Sequence, residues 1–177
     1  MSSTASPMEA HENRSPKIHV IHFDDDAENT LDDQMAPLRS AYGDHFTLTS
    51  ICTEHPADWP RFVEAVTHSE ADLVIPTLHG RHDRSDLGTT TRGPWRDIAD
   101  VFGEGSISAQ VLLLFCCMQN QWKDIWRSIA PRSTLVLSAS KDTNAIDGIV
   151  SELVTSNGDI IRPTPMSPLG DWHIHAP

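Results

Sequence analysis

The 177-residue chain reads as an α/β protein, with a mostly parallel sheet of five to six strands and helices on both faces in three layers. Three observations predict this. Short apolar runs alternate along the chain with segments whose apolar residues recur at helical spacing. The run Val111 to Cys116 is apolar at every position, as a strand buried on both faces requires. Hydrophobic residues make up 38% of the chain and charged residues 21%, enough for a packed core that needs no disulfide or metal.

Ile18 to Phe23 is the first strand, and it ends in Asp24, Asp25 and Asp26. Leu31, Met35, Leu38 and Tyr42 then keep helical spacing, with Gly43 placed to end the helix and Pro37 expected to kink or shorten it. Phe46 to Cys52, rich in Thr and Ile, is a second strand. Trp59, Phe62, Val63 and Val66 give the next helix one apolar face, with Asp58 as its cap and Pro60 in its first turn. Leu73 to Leu78 is the third strand, followed by a loop from His79 to Gly93. Trp95, Ile98, Ala99 and Phe102 predict a short helix after Pro94. Val111 to Cys116 is the fourth strand, and Trp122, Ile125, Trp126 and Ile129 form the helix behind it. Thr134 to Ala139 is the fifth strand. Ile146, Ile149, Val150 and Leu153 make a last helix, and Ile160-Ile161 a short edge strand. The four tryptophans at 59, 95, 122 and 126 fall on apolar helix faces and are expected in the core.

Residues 1–16 are dominated by Ser, Pro and charge and are expected to form a disordered leader. The domain spans 17–162, and 163–177 is a Pro-rich tail in which His173 and His175 receive no role. The chain has 13 Lys+Arg against 25 Asp+Glu, a formal charge of −12, which argues against nucleic acid, whose phosphates require a basic face. No apolar run is long enough for a bilayer, and the first residues have no signal-peptide core. The odd set Cys52, Cys116 and Cys117 is no disulfide framework. A reduced, cytoplasmic protein with no membrane partner is expected.

In a parallel sheet, ligands bind where the strands end at their carboxyl side. Those positions here are Asp24 to Asp26, Thr53 to His55, His79-Gly80, Cys117-Met118 and Ser140 to Asp142. Consecutive buried strands tend to be neighbours, so His79 and Cys117 are expected to face each other. An imidazole beside a thiol raises the thiolate fraction and can protonate a leaving amine. The Gly80 and Cys117 N–H groups are candidate donors to a developing oxyanion. The bland alternative makes both cysteines small buried residues and His79 a loop histidine. The spacing of His79, His82, Asp83 and the cysteines fits no established zinc pattern, so neither metal nor cofactor is expected.

The run from Asp72 to Gly80, ending in Leu78-His79-Gly80, and the run from Val111 to Cys117 resemble the caspase-like cysteine peptidases, a group that includes metacaspases, separases and CHAT proteases. In that family one strand ends in His-Gly and the next in the catalytic Cys. His79 and Cys117 stand 38 positions apart, similar to the family's spacing, and the resemblance covers 17 to about 158. It implies a caspase-like (flavodoxin-like) three-layer fold and a hydrolase acting on a protein or peptide. Cys117 would be the nucleophile, His79 the general acid/base, and Gly80 with Cys117 the oxyanion donors. Cys116 would turn back into the sheet. Leu135 to Asp142 resembles the strand and loop beside the CHAT specificity pocket. Asp24 and Asp142 are the candidate substrate-binding carboxylates, with a preference for basic residues.

Two departures from the family pattern are visible: Arg81-His82-Asp83 follows His-Gly, and Met118-Gln119 follows Cys117. Lys17 to Leu78 also resembles a response-regulator receiver domain, with Asp24 and Asp25 as its acidic pair and Thr77 in the place of the phosphorylated Asp. Either a degenerate peptidase or a degenerate receiver would be a non-catalytic interaction domain, the alternative to an enzyme.

Overall fold

In the computed structural model the chain is described at residues 15–23, 28–51, 58–90, 93–141, 146–154, 160 and 170–177, with the side chains of 28–32 left aside. The elements run β1 (Ile18–Phe23), α1 (Glu28–Tyr42), β2 (Phe46–Ile51), α2 (Asp58–Thr67), β3 (Leu73–Thr77), β4 (His79–Gly80), β5 (Asp86–Gly88) and β6 (Trp95–Asp97). They continue with α3 (Ile98–Val101), β7 (Val111–Leu114), a 3₁₀ turn (Gln119–Trp122), α4 (Lys123–Ile129), β8 (Thr134–Ser138), α5 (Ile146–Leu153) and β9 (Trp172–His175). The main sheet has six strands in the order β2-β1-β3-β7-β8-β9. Its first five strands are parallel, and β9 runs antiparallel to β8. The fold is the mostly parallel three-layer α/β architecture that the alternation of elements predicts.

Alternation within each strand sorts the core into two layers. Ile21, Phe23, Val74, Leu112, Leu114, Leu135 and Leu137 face α2, α3 and α4. Ile18, Val20, Leu73, Ile75, Val111, Leu113 and Val136 face α1 and α5. The first layer is tied together by aromatic contacts. Phe23 stacks on Phe62 at 4.5 Å and meets Trp59 edge-on at 4.8 Å, while Phe62, Phe102 and Trp126 carry the chain of rings on to α4. Rings in these offset and edge-to-face arrangements add to what burial alone contributes.

The register of β3 against β7 sets the level of the strand ends that carry His79 and Cys117. Leu73 lies opposite Val111, Val74 opposite Leu112, and an isolated bridge joins Thr77 to Phe115. Every one of these pairs is 38 positions apart, the separation of His79 and Cys117. Pro76 interrupts the ladder because it has no N–H to give β7, and pairing resumes when the Phe115 N–H donates to the Pro76 carbonyl at 3.1 Å.

Three differences from the sequence reading have physical causes. The residues expected to form a loop after His79 build a second, antiparallel sheet, β4-β5-β6. Trp95 belongs to β6 and not to a helix; α3 starts only at Ile98, where the Asp97 carboxylate accepts the Ala99 N–H at 2.9 Å and caps it. The segment read as a tail beyond residue 162 supplies the sixth strand, β9. Ile160, read as the edge strand, makes a single bridge to Val154. Arg127 fastens β9 by donating to the His175 and Ala176 carbonyls at 2.8 and 3.0 Å. Pro37 lies inside α1, which continues to Tyr42. The amino-terminal leader up to residue 14, the Asp24 to Asp26 cluster and Cys52 fall outside the described residues.

Phe62 is fully buried and touches three other rings. Phe62→Ala is expected to lower stability by about 3–5 kcal/mol, read from urea unfolding.

Candidate active site

β3 passes through Leu78 directly into His79 and Gly80, while β7 ends in a tight turn in which the Cys116 N–H donates to the Leu114 carbonyl at 2.8 Å. The common register delivers both strand ends to one edge of the sheet. There they open on a cleft of about 490 Å³. From the β3 side it is lined by His79, Gly80 and the Arg81–Asp83 turn, and from the β7 side by Cys117 and Met118. Trp95 of β6 and Lys141, just beyond β8, complete the lining. His79, Gly80 and Cys117, three positions singled out in the sequence, therefore share one cavity. Asp24 and Asp142, the other two, lie outside the described residues.

The two adjacent cysteines have different surroundings. Cys116 is fully buried in the layer under α4, and burial, with Cys117 beside it, pushes its thiol pKa well above the ordinary value. Cys117 is half-buried and lines the cleft. Neither cysteine forms a disulfide.

Gly80 is where the two strand ends touch. A β-carbon at this position would lie 2.5 Å from the Cys117 carbonyl oxygen and 2.8 Å from the Cys116 sulfur, and would also run into the Gln119 amide. Only a residue without a side chain lets the His79 strand approach the Cys117 turn this closely.

The cleft also has an ordered polar rim. Arg81 donates from Nε and Nη2 to the two Asp83 carboxylate oxygens at 2.9 and 2.7 Å, a fork that holds the Asp83 carboxyl below its usual pKa range. The same guanidinium stands 5.4 Å from the Trp95 ring centre. Gln121 donates to the His82 carbonyl at 2.9 Å and so ties this turn to the segment following Cys117. Among the described residues, the charged groups of the lining are Arg81 and Lys141 against Asp83. Among those residues no group of three or more His, Cys, Asp or Glu side chains is placed to hold a metal ion.

Trp95, expected in the core, is half-exposed at the cleft; Lys141 belongs to the strand end Ser140 to Asp142 that the sequence singles out, whereas Gln119 carries no sequence signal that would select it. For Trp95 a signal existed. Asp97, a good cap immediately before Ile98, places the helix start after the tryptophan. Comparison with protein-family models finds none that matches the chain, and comparison with curated proteins finds no significant similarity.

Two outcomes follow from this geometry. Gly80→Ala is expected to cost about 1–3 kcal/mol in thermal or chemical unfolding, because the added methyl has no space. In the folded protein at pH 8, iodoacetamide is expected to modify Cys117 and leave Cys116 untouched, as read by peptide mass spectrometry with Cys117→Ser as the control.

Proposed function

We propose that the protein is a caspase-like cysteine endopeptidase in which Cys117 is the nucleophile and His79 the general acid/base. The observation that carries this reading is the shared register: the strand ending in His-Gly and its neighbour ending in Cys are aligned, and both open on the same cleft. The order of these strand ends along the chain supports it, as does the contrast between a sequestered Cys116 and an accessible Cys117. Two adjacent cysteines outside any disulfide suit a reducing compartment, the cytoplasm. Among the described residues no helix is long and apolar enough to cross a membrane.

The chemistry runs in two halves. The Cys117 thiolate adds to the carbonyl carbon of the scissile peptide, forming the C–S bond. The N–H groups of Gly80 and Cys117 are the proposed donors to the oxyanion. Protonated His79 gives its proton to the departing amine as the C–N bond breaks, which leaves a thioester on Cys117. His79 then takes a proton from water, the water oxygen adds to the thioester carbonyl, and the C–S bond breaks to release the acid and regenerate the thiolate.

Hydrolysis is tested with fluorogenic peptides that vary the residue before the cut across basic, acidic and apolar types. The set must include acidic ones, because the described lining brings Arg81 and Lys141 together with Asp83. Cys117→Ala and His79→Ala are each expected to lower kcat/KM by about a thousandfold or more without unfolding the protein. Undiminished hydrolysis by Cys117→Ala would refute the assignment. Failure of the wild type on every peptide, combined with a slowly labelled Cys117, favours a non-catalytic interaction domain.

A further inference from the structure

The peptide group joining Cys117 to Met118 is held at both ends. Its carbonyl accepts a hydrogen bond from Gln119 Nε2 at 2.9 Å, and its N–H donates to the Ser140 carbonyl, also at 2.9 Å. Between these two bonds the backbone of Met118 sits in the left-handed region, with φ 57° and ψ 26°. A non-glycine residue keeps that conformation only where its surroundings impose it.

Gln119 is itself immobilised. It is fully buried, and its Oε1 accepts the indole N–H of the equally buried Trp126 at 2.9 Å. With the oxygen committed to Trp126, the amide nitrogen must point towards the Cys117 carbonyl. The same nitrogen is what a side chain on residue 80 would strike, so the His79-Gly80 strand end packs directly against the Gln119–Cys117 contact. One buried amide therefore touches both strand ends, and a leucine or methionine of similar volume would fill the space at no desolvation cost.

We propose that Gln119 is a positioning residue for the dyad: through the Cys117 carbonyl it fixes the direction of the Cys117 side chain, and through Gly80 it fixes the approach of His79. This rests on the reading of Cys117 and His79 as the catalytic pair. Gln119 touches no reacting atom in this scheme. It acts by holding ψ of Cys117, and misplacement of a reacting group by about 1 Å costs on the order of a hundredfold in rate.

The test compares the full-length wild type, Gln119→Met, Gln119→Glu and a mild core control, Phe62→Leu. Gln119→Glu keeps the volume and the acceptor for Trp126, and once ionised its carboxylate has no donor for the Cys117 carbonyl, so this variant is read in the alkaline arm of the profile. Three quantities are read: the pH profile of Cys117 alkylation by iodoacetamide, kcat and KM on the best peptide, and Tm. The expected result is a fall in kcat of about tenfold to a hundredfold for both Gln119 variants, with KM within about twofold and the alkylation profile displaced. Phe62→Leu is expected to lower Tm while leaving kcat and the profile as in the wild type. Wild-type kcat and profile in either folded Gln119 variant would overturn the proposal, as would an equal displacement in Phe62→Leu. If the wild type hydrolyses no peptide, the peptidase reading fails by itself. The alkylation profile then still decides, since a displacement confined to the Gln119 variants supports the positioning role and its absence refutes it.

Discussion

The pairing of β3 with β7 is the constraint on which the candidate site depends. Hydrogen bonds between parallel strands fix which residues stand level with each other, and a slip by one residue would turn every side chain to the opposite layer. Here a slip would drive Leu112 and Leu114 out of the layer under α4 and Val111 and Leu113 out of the layer under α1 and α5. The two hydrophobic layers therefore enforce the register, and the register brings the His79-Gly80 and Cys116-Cys117 ends to the same height. Core packing and site geometry are in this sense one property of the sheet.

What lies beyond the strand ends is arranged by local contacts. β3 leaves the main sheet at Leu78 and enters a small antiparallel sheet, whose last strand brings Trp95 to the cleft. Bare backbone at Gly80 permits the close approach, the Arg81–Asp83 fork and Gln121 order the turn that follows, and Gln119 secures the other side. The sheet supplies coarse alignment, and the buried Gln119 amide, the exposed Gln121 amide and a glycine supply the fine adjustment.

Much of the frame was legible from periodicity. Four of the five parallel strands are recognisable as runs rich in Val, Ile and Leu and β2 as a Thr- and Ile-rich one, and the faces of α2, α4 and α5 from apolar residues at helical spacing, because these patterns follow burial. Short or irregular pieces were not legible. β4 has two residues and β9 has four, too few for alternation to rise above chance, and β9 is hidden behind a Pro-rich stretch. Trp95 fitted a helical pattern because Ile98 and Phe102 follow at the right spacing, although the cap at Asp97 separates it from them. At the site, His79, Gly80 and Cys117 could be selected because strand ends are chemically privileged places. Gln119 could not, since a buried glutamine has no periodic signature and its importance exists only in the contacts it makes.

The role of Pro76 extends to how the chain can vary in length. The alignment of His79 with Cys117 is dictated by strand pairing, which resumes beyond the N–H that Pro76 lacks, and the 38-residue interval is merely the length of chain that happens to lie between. Added residues in the excursion after Gly80, through β5, β6 and α3, would change that interval without moving either strand end. A single residue added inside β3 or β7 would displace one partner by a full step. The excursion is thus free to lengthen and diversify the rim of the cleft, while the two strands beneath it are not.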